Sequence, residues 1–363
     1  MSQTAIPAML MRGGSSKGLF FAADALPADE ALRNRVLLAA MGSPDRRQID
    51  GAGGAHPLTS KVGIVSKGSG GADLNFLFAQ LQPDNDTVDT APNCGNMLAA
   101  AVPFALESGM IEAADGETTV RVLTENTGML SDITVQTPGG QIAYEGGARI
   151  DGVPGTAAPV RIRFLDTEGS VAGSLLPTGK CSDVFGIEGF GALEATCIDN
   201  GMPMVLVRAQ DVRRTAYESV ADLNQDAELK TLLEKLRLTA AEKMGLGDVS
   251  AKNYPKMCLI NAPLHGGAVH TRCFIPHVCH EAVGVLAAVT IATACMMKGS
   301  VAEGLAQVND LSAVSVEHPS GEFSVALETD AQGSVKGAAL IRTARNIMRG
   351  EVMVPASVWD GSR

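Results

Sequence analysis

Two stretches of this chain, residues 95–108 and 280–297, are apolar on nearly every side when read at helical spacing. A helix with no polar face has to be buried all round. The fold must therefore supply enough sheet to wrap two helices. The longest apolar run, residues 282–297, is interrupted by Gly284 and Thr290 and is shorter than the roughly 20 residues that span a bilayer. A core helix is the expectation, with no membrane association. Each stretch is read as beginning at a cysteine, Cys94 and Cys279, with Pro92 and Pro276 shortly before. The 185-residue spacing of these cysteines, about half of 363 residues, points to two similar halves.

The rest of the chain supplies the sheet. Strands are expected over residues 5–11, 61–65, 73–78 and 118–123, separated by glycine and proline clusters. Residues 29–41 and 226–244 read as amphipathic helices. The second, with leucines at 229, 232, 233, 236 and 238, is expected on the surface. Residues 339–349, carrying Arg342, Arg345 and Arg349, are read as a further helix. A boundary near residue 185 balances the halves. The first domain is then 1–185, with 355–363 as the candidate segment that completes it, and the second is 186–354.

Composition narrows the class. Apolar residues are 45% and charged residues 19%, ample for a packed core. Acidic residues outnumber basic ones 40 to 29, giving a net charge of −11 with no clustered basic segment. That excludes general nucleic-acid binding. The first residues show no basic and apolar signal pattern. Seven cysteines, an odd number, fit free thiols in a reducing cytoplasm better than a disulfide framework.

The chemistry concentrates in a few short motifs. In Asn93-Cys94-Gly95-Asn96 a thiol stands at an expected helix start, near unpaired amides that favour its thiolate. Gly95 would let a carboxylate approach the backbone. Such a site suits proton abstraction beside a carboxylate or carbonyl. The competing reading is an inert cysteine capped by Asn93. Lys61 follows Leu58-Thr59-Ser60 at a strand start, as either a carboxylate-binding or acid–base residue, or a solvated lysine. Arg12-Gly13-Gly14-Ser15-Ser16-Lys17-Gly18 formally contains G-x-S-x-G. A strand follows it where the hydrolase elbow needs a helix, and it lacks the P-loop spacing. A turn whose hydroxyls and amides hold an anion is the better reading. Asn126-Thr127-Gly128 is a second small polar loop. His277, Cys279 and His280 lack zinc-site spacing, so no metal is expected. His280 remains a candidate substrate contact at the second helix start. No glycine cluster carries the dinucleotide fingerprint.

Taken together, these residues resemble the PrpF family of isomerases, within the diaminopimelate-epimerase-like fold. The resemblance rests on Met11 to Gly18, Met41-Gly42-Ser43-Pro44-Asp45, Gln48-Ile49-Asp50-Gly51 and Leu58-Thr59-Ser60-Lys61-Val62. It continues through Asn93-Cys94-Gly95-Asn96, Asn126-Thr127-Gly128, Ile198-Asp199-Asn200-Gly201-Met202-Pro203 and Gly245-Leu246-Gly247-Asp248-Val249. It ends with His318-Pro319-Ser320-Gly321 and Arg342-Thr343-Ala344-Arg345, so it spans nearly the whole chain. One departure is Ser15, where the family commonly has threonine; the hydroxyl is kept.

The resemblance implies an α+β fold of two pseudo-symmetric halves, each a barrel-like sheet around a central helix, with the active site between them. It implies a cofactor-free enzyme in which Cys94 and Lys61 are the acid–base pair. Arg12, Ser15, Ser16, Lys17, Ser60, Asn93, Gly95, Asn96, Asn126, Thr127, Met202, Arg272 and His280 are then the candidates for substrate contact. The family's substrates are small unsaturated polycarboxylates: aconitate isomers, methylitaconate and oxalomesaconate. Similarity runs furthest to members acting on 4-oxalomesaconate in gallate-type aromatic degradation, which implies keto–enol or 1,3-allylic isomerisation by a monomer or homodimer. The alternatives are an aconitate or methylitaconate isomerase of the same family, an epimerase using Cys94 and Cys279, and a polycarboxylate-binding protein without catalysis.

Overall fold

The computed structural model describes residues 2–165, 167–329, 331 and 335–362. The chain divides into two units, Met1–Leu165 with Arg342–Arg363, and Asp166–Ile341.

In the first unit β1 (Gln3–Gly13) and β2 (Ser16–Ala22) form a hairpin, and α1 (Glu30–Met41) leads to β3 (Lys61–Lys67), parallel to β2. β4 (Leu74–Leu81) returns antiparallel and carries the short β5 (Val88–Asp89). The central segment follows as α2 (Gly95–Leu98) and α3 (Ala101–Glu107). β6 (Gly116–Thr124) lies parallel to β4, and β7 (Met129–Thr137) and β8 (Pro159–Phe164) continue antiparallel.

The second unit repeats this order. β9 (Asp183–Ile187) and β10 (Gly191–Asp199) pair, and β10 forms a hairpin with β11 (Pro203–Arg208). α4 (Val220–Gln225) and α5 (Ala227–Lys243) lead to β12 (Lys256–Asn261), parallel to β11, and β13 (Val269–Phe274) returns antiparallel. α6 (Val285–Met296) precedes β14 (Val314–His318), parallel to β13, and β15 (Gly321–Thr329) follows antiparallel. β16 (Val335–Pro355) pairs with β15 through its first residues, and residues 344–355 pair with β1. In the first unit β16 also neighbours β8, so that strand path returns to β1. Hairpin, helix, parallel strand, hairpin, buried helix, parallel strand: this shared order is the duplication that the two apolar stretches announced.

Strand residues alternate between two cores, as a period of two requires. Met204, Leu206, Cys258 and Ile260 pack with α6, while Val205, Val207, Met257 and Leu259 pack with α5. Sheets covered on both faces read as continuous apolar runs. In the first unit Leu19, Phe21, Val62 and Ile64 pack against α1. Phe20, on the other face, sits 5.8 Å from Phe104 of α3. α1 starts where Asp29 accepts the Leu32 amide at 2.7 Å and ends at Gly42 in left-handed conformation.

Several expectations change. Residues 95–108 are two helices, because Pro103 has no N–H for the carbonyl of Ala99 and its ring crowds that position. Residues 280–297 form a helix only from Val285, capped by Gly284, so Cys279 is not at its start. Residues 339–349 are strand, because β15 and β1 offer ladder partners that outweigh the helical pattern. α5 is amphipathic as expected, but Leu229, Leu232, Leu233, Leu236 and Arg237 are buried. The units part at residue 165 and the return begins at Arg342, where the sequence placed 185 and 355. Residues between these limits are bonded into the second unit: Gly169 donates to Asp199, and Asp199 donates to Leu175. Among the described residues no helix is long and apolar enough to cross a membrane.

Candidate active site

Lys61 is the first residue of β3, parallel to Gly18 of β2 and opposite Gln80 of β4. Its side chain is buried, 7% exposed. The three Gln80 Nε2 contacts, to carbonyls of Pro57, Ser60 and Leu81, turn Gln80 Oε1 toward Lys61 Nζ at 2.5 Å. Nζ also lies 4.9 Å from the centre of the Phe78 ring. Its next neighbour is Cys94 Sγ, 3.9 Å away.

Cys94 is the N-cap residue of α2, in extended conformation. The Leu98 amide closes on its carbonyl, leaving the amides of Gly95 to Met97 before the first bonded turn. Asn93 Oδ1 accepts the Cys94 amide at 2.7 Å. Asn126 bonds both backbone groups of Phe78 and the carbonyl of Thr90, tying the approach to Cys94 to β4.

The β1–β2 turn closes on the same helix. Gly13 and Gly14 are required there, because a Cβ on Gly13 would lie 2.3 Å from the Asn96 carbonyl oxygen and Gly14 has positive φ. Asn96 donates to Ser15 Oγ at 3.1 Å and accepts from Arg342 Nε at 3.0 Å. Burial brings the Arg342 guanidinium down to about 10, with the nearby Cys94 thiol opposing the shift. Ser16 Oγ is buried without a hydrogen-bond partner among the described residues, an open position for a ligand oxygen.

The structure thus brings together Lys61, Cys94, Gly95, Asn96, Ser15 and Ser16. Other candidates have different duties. Ser60 Oγ is occupied by Gln48 Oε1 and the His56 carbonyl, and it anchors the segment before Lys61. Thr127 is an exposed turn residue. Arg12 and Lys17 pair in register on the face opposite that of Gly13, and Arg12 Nη1 holds Gly14 O and both oxygens of Thr343.

In the second unit Met202 packs against the core around α6. Arg272 is buried and bonds Glu218 O, Thr271 O and, at 2.6 Å, His270 Nε2. His270 Nδ1 meets Glu317 Oε2 at 2.9 Å. His280 is exposed, and burial and Lys256 lower its ring pKa. Cys279 is held by Asn224 through its amide and carbonyl, and its thiol packs in the α5 core. Burial pushes that thiol up to about 12, so it carries no base at neutral pH. Among the described residues no three His, Cys, Asp or Glu side chains are grouped as a metal site would need.

Gln80 and Arg342 escaped sequence reasoning. Gln80 faces Lys61 only through strand register, and Arg342 was assigned to a helix. Lys256 was also passed over. It opens β12 as Lys61 opens β3, and a repeat-aware alignment of the two hairpins would have found it.

A buried lysine beside a helix-start thiol, with an unsatisfied hydroxyl and short-turn amides around it, is a candidate proton-transfer site on an α+β frame. The chain belongs to the PrpF family, whose pattern matches residues 3–355. It is 51% identical to a 4-oxalomesaconate tautomerase of Pseudomonas putida over 99% of both chains. It is also 51% identical to a (4E)-oxalomesaconate Delta-isomerase of Novosphingobium, covering 96% of this chain and 97% of the relative. The crystal structure of a methylitaconate-delta-isomerase superposes with a TM-score of 0.86 at 34% identity, over 99% of this chain and 97% of that one.

Proposed function

We propose that the protein is an isomerase that shifts a proton on 4-oxalomesaconate without a cofactor. The observation that carries the reading is the Lys61–Cys94 pair, two proton-exchanging groups 3.9 Å apart, in a chain 51% identical to two enzymes named for that substrate.

One member of the pair removes a proton from the carbon next to a carboxylate or keto group. The electrons delocalise into a dienolate. The amides at the start of α2 and the Ser16 hydroxyl take up its developing charge, the kind of preorganised stabilisation that contributes most in such reactions. The proton then returns to oxygen, giving the enol, or to the γ-carbon, giving the shifted double bond. Gln80 orients the lysine by fixing one of its three donors. Arg342 and Ser15 orient Asn96 from either side, and Asn93 and Asn126 hold the segment that presents Cys94. We place the reaction in gallate-type aromatic acid degradation, on the likeness to enzymes named for 4-oxalomesaconate, and in the cytoplasm, where seven free thiols fit the reducing conditions.

The test is proton NMR of the protein in deuterium oxide with 4-oxalomesaconate, methylitaconate and cis-aconitate separately. Deuterium uptake or double-bond migration in 4-oxalomesaconate is the expected result. Migration in methylitaconate alone would move the assignment to a methylitaconate isomerase. Exchange in none of them would overturn the isomerase reading.

A further inference from the structure

Outside the Lys61–Cys94 site, the first unit carries a row of cations. Lys17 of β2, Arg12 of β1 and Arg345 of β16 are consecutive cross-strand neighbours in register. Paired residues project from the same face of a sheet, so three positive side chains stand side by side. Directly opposed like charges destabilise a sheet unless something compensates them. Among the described residues no carboxylate pairs with any of the three. Burial, then Arg345, lowers the Arg12 guanidinium pKa, the mark of a cation short of counter-charge.

Arg12 and Arg345 of this row border a cavity of about 860 Å³. Arg12, Thr343 and Arg345 line its floor, and Tyr144, Glu145 and Thr156 of the loop over residues 144–157 line its wall. Glu145 is the single carboxylate in that lining and is exposed. Tyr144 donates to Glu107 at 3.2 Å, and burial, with Glu107, raises its pKa, so the phenol stays protonated. Neither Lys61 nor Cys94 is part of its lining.

We infer that this cavity is a second anion site, taking a small phosphorylated or polycarboxylate ligand between the guanidinium groups of Arg12 and Arg345. Each guanidinium presents a planar fork that matches carboxylate or phosphate oxygens two at a time. Arg12 Nη1 is held by Gly14 and Thr343, which aims the fork, and Arg345 has no competing partner among the described residues. The inference stands independently of the reaction at Cys94.

The test is calorimetric and thermal-shift titration of the full chain with inorganic phosphate and with citrate. Wild type is compared with Arg345→Ala and Arg345→Lys. Saturable binding of either probe is expected, weakened about tenfold in Arg345→Ala, the loss of one charge-assisted contact, and partly restored in Arg345→Lys. Phosphate alone assigns a phosphoryl ligand, citrate alone a polycarboxylate. Citrate held at the Lys61–Cys94 site would keep its affinity in Arg345→Ala, and that result overturns the inference. Absence of saturable binding to wild type also overturns it. Arg345 is exposed, so circular dichroism and melting of its variants should match wild type and separate loss of binding from loss of fold.

Discussion

The two units share one element order, yet they furnish their buried helices differently. In the first, a lysine opens the crossover strand β3 and meets a thiol at the start of α2, 3.9 Å away. In the second, Lys256 opens the crossover strand β12, and its Nζ lies 3.7 Å from where a side chain on Gly284, the cap of α6, would begin. Among the described residues no thiol caps α6, and the thiol that opposes the lowering of the Lys256 pKa is Cys273 of β13. The cysteine that sequence placed at that helix start, Cys279, is five residues before the cap and buried in the other core of the sheet. The same frame thus offers a lysine at both helix starts and a thiol at the helix cap in only the first. Duplication supplied the scaffold, and a single cysteine distinguishes the two ends chemically.

This asymmetry can be broken experimentally, most severely at the pair itself. Cys94→Ala and Lys61→Ala should each lower the isomerisation rate and solvent deuterium incorporation by about 10²–10⁴-fold, the usual contribution of a positioned acid or base. Their melting curves should match wild type, and wild-type exchange in both would remove the first unit's distinction.

A steric change should come next. A Cβ on Gly18 would fall 1.9 Å from the Lys61 carbonyl oxygen, and backbone cannot yield as a flexible side chain does. Gly18→Ala should destabilise the chain by about 1–3 kcal/mol and displace Lys61, read by denaturant midpoint and by turnover.

Acid should act on the second unit first. Burial lowers His270, with Glu317 opposing. Burial works to raise Glu317, but the Leu264 amide, His270 and the amides of Gly267 and His265 outweigh it and hold the carboxyl low. Both folded-state values lie below the unfolded ones, so the unfolded chain takes up protons first as pH falls. Stability is therefore present above about 6.5 and lost on acidification, first through the histidine and below about 4.5 through the glutamate. His270→Gln should remove the upper part of that pH dependence in melting experiments.

Lys256→Met should stabilise the chain slightly, by less than about 1 kcal/mol and read as a small rise in melting temperature, because burial disfavours the ammonium and its side chain has no hydrogen-bond partner among the described residues. Cys279→Ser should have the smallest effect on turnover, within about twofold. Alkylation at pH 8 should label Cys94 and spare Cys279, whose buried thiol has been pushed up to about 12. Loss of turnover in Cys279→Ser would support the two-cysteine epimerase and make the two units chemically alike after all.

How much of this was legible varies with the range of the interactions involved. α1 was readable because its cap, Asp29, and its stop, Gly42, are local signals. β1, β3, β4 and β6 were readable from apolar runs between turn residues. The pairing of Lys61 with Cys94 was anticipated by family likeness and not by spacing, since 33 residues and three strand crossings separate them. Gln80 was invisible, because strand register is a property of two segments and neither announces it alone. Asn126, a candidate ligand contact, has its amide engaged by backbone groups of Phe78 and Thr90, and Ser60, another, bonds Gln48 and the His56 carbonyl. A polar side chain in a sequence does not reveal whether a carbonyl will claim it.

By itself, the sequence determined that two apolar helices must be wrapped, that the chain repeats itself, and that a thiol, a lysine and small hydroxyls were available for proton transfer. These follow from composition, periodicity and capping, which act within a few residues. Tertiary structure alone decided that residues 339–349 are strand, that Cys279 is core, and that Lys17, Arg12 and Arg345 form a row of cations with no carboxylate partner among the described residues. Each of those outcomes depends on which segment arrives alongside, because ladder hydrogen bonds and burial are shared between distant parts of the chain, and they outweigh the fraction of a kcal/mol per residue by which local propensity favours one conformation.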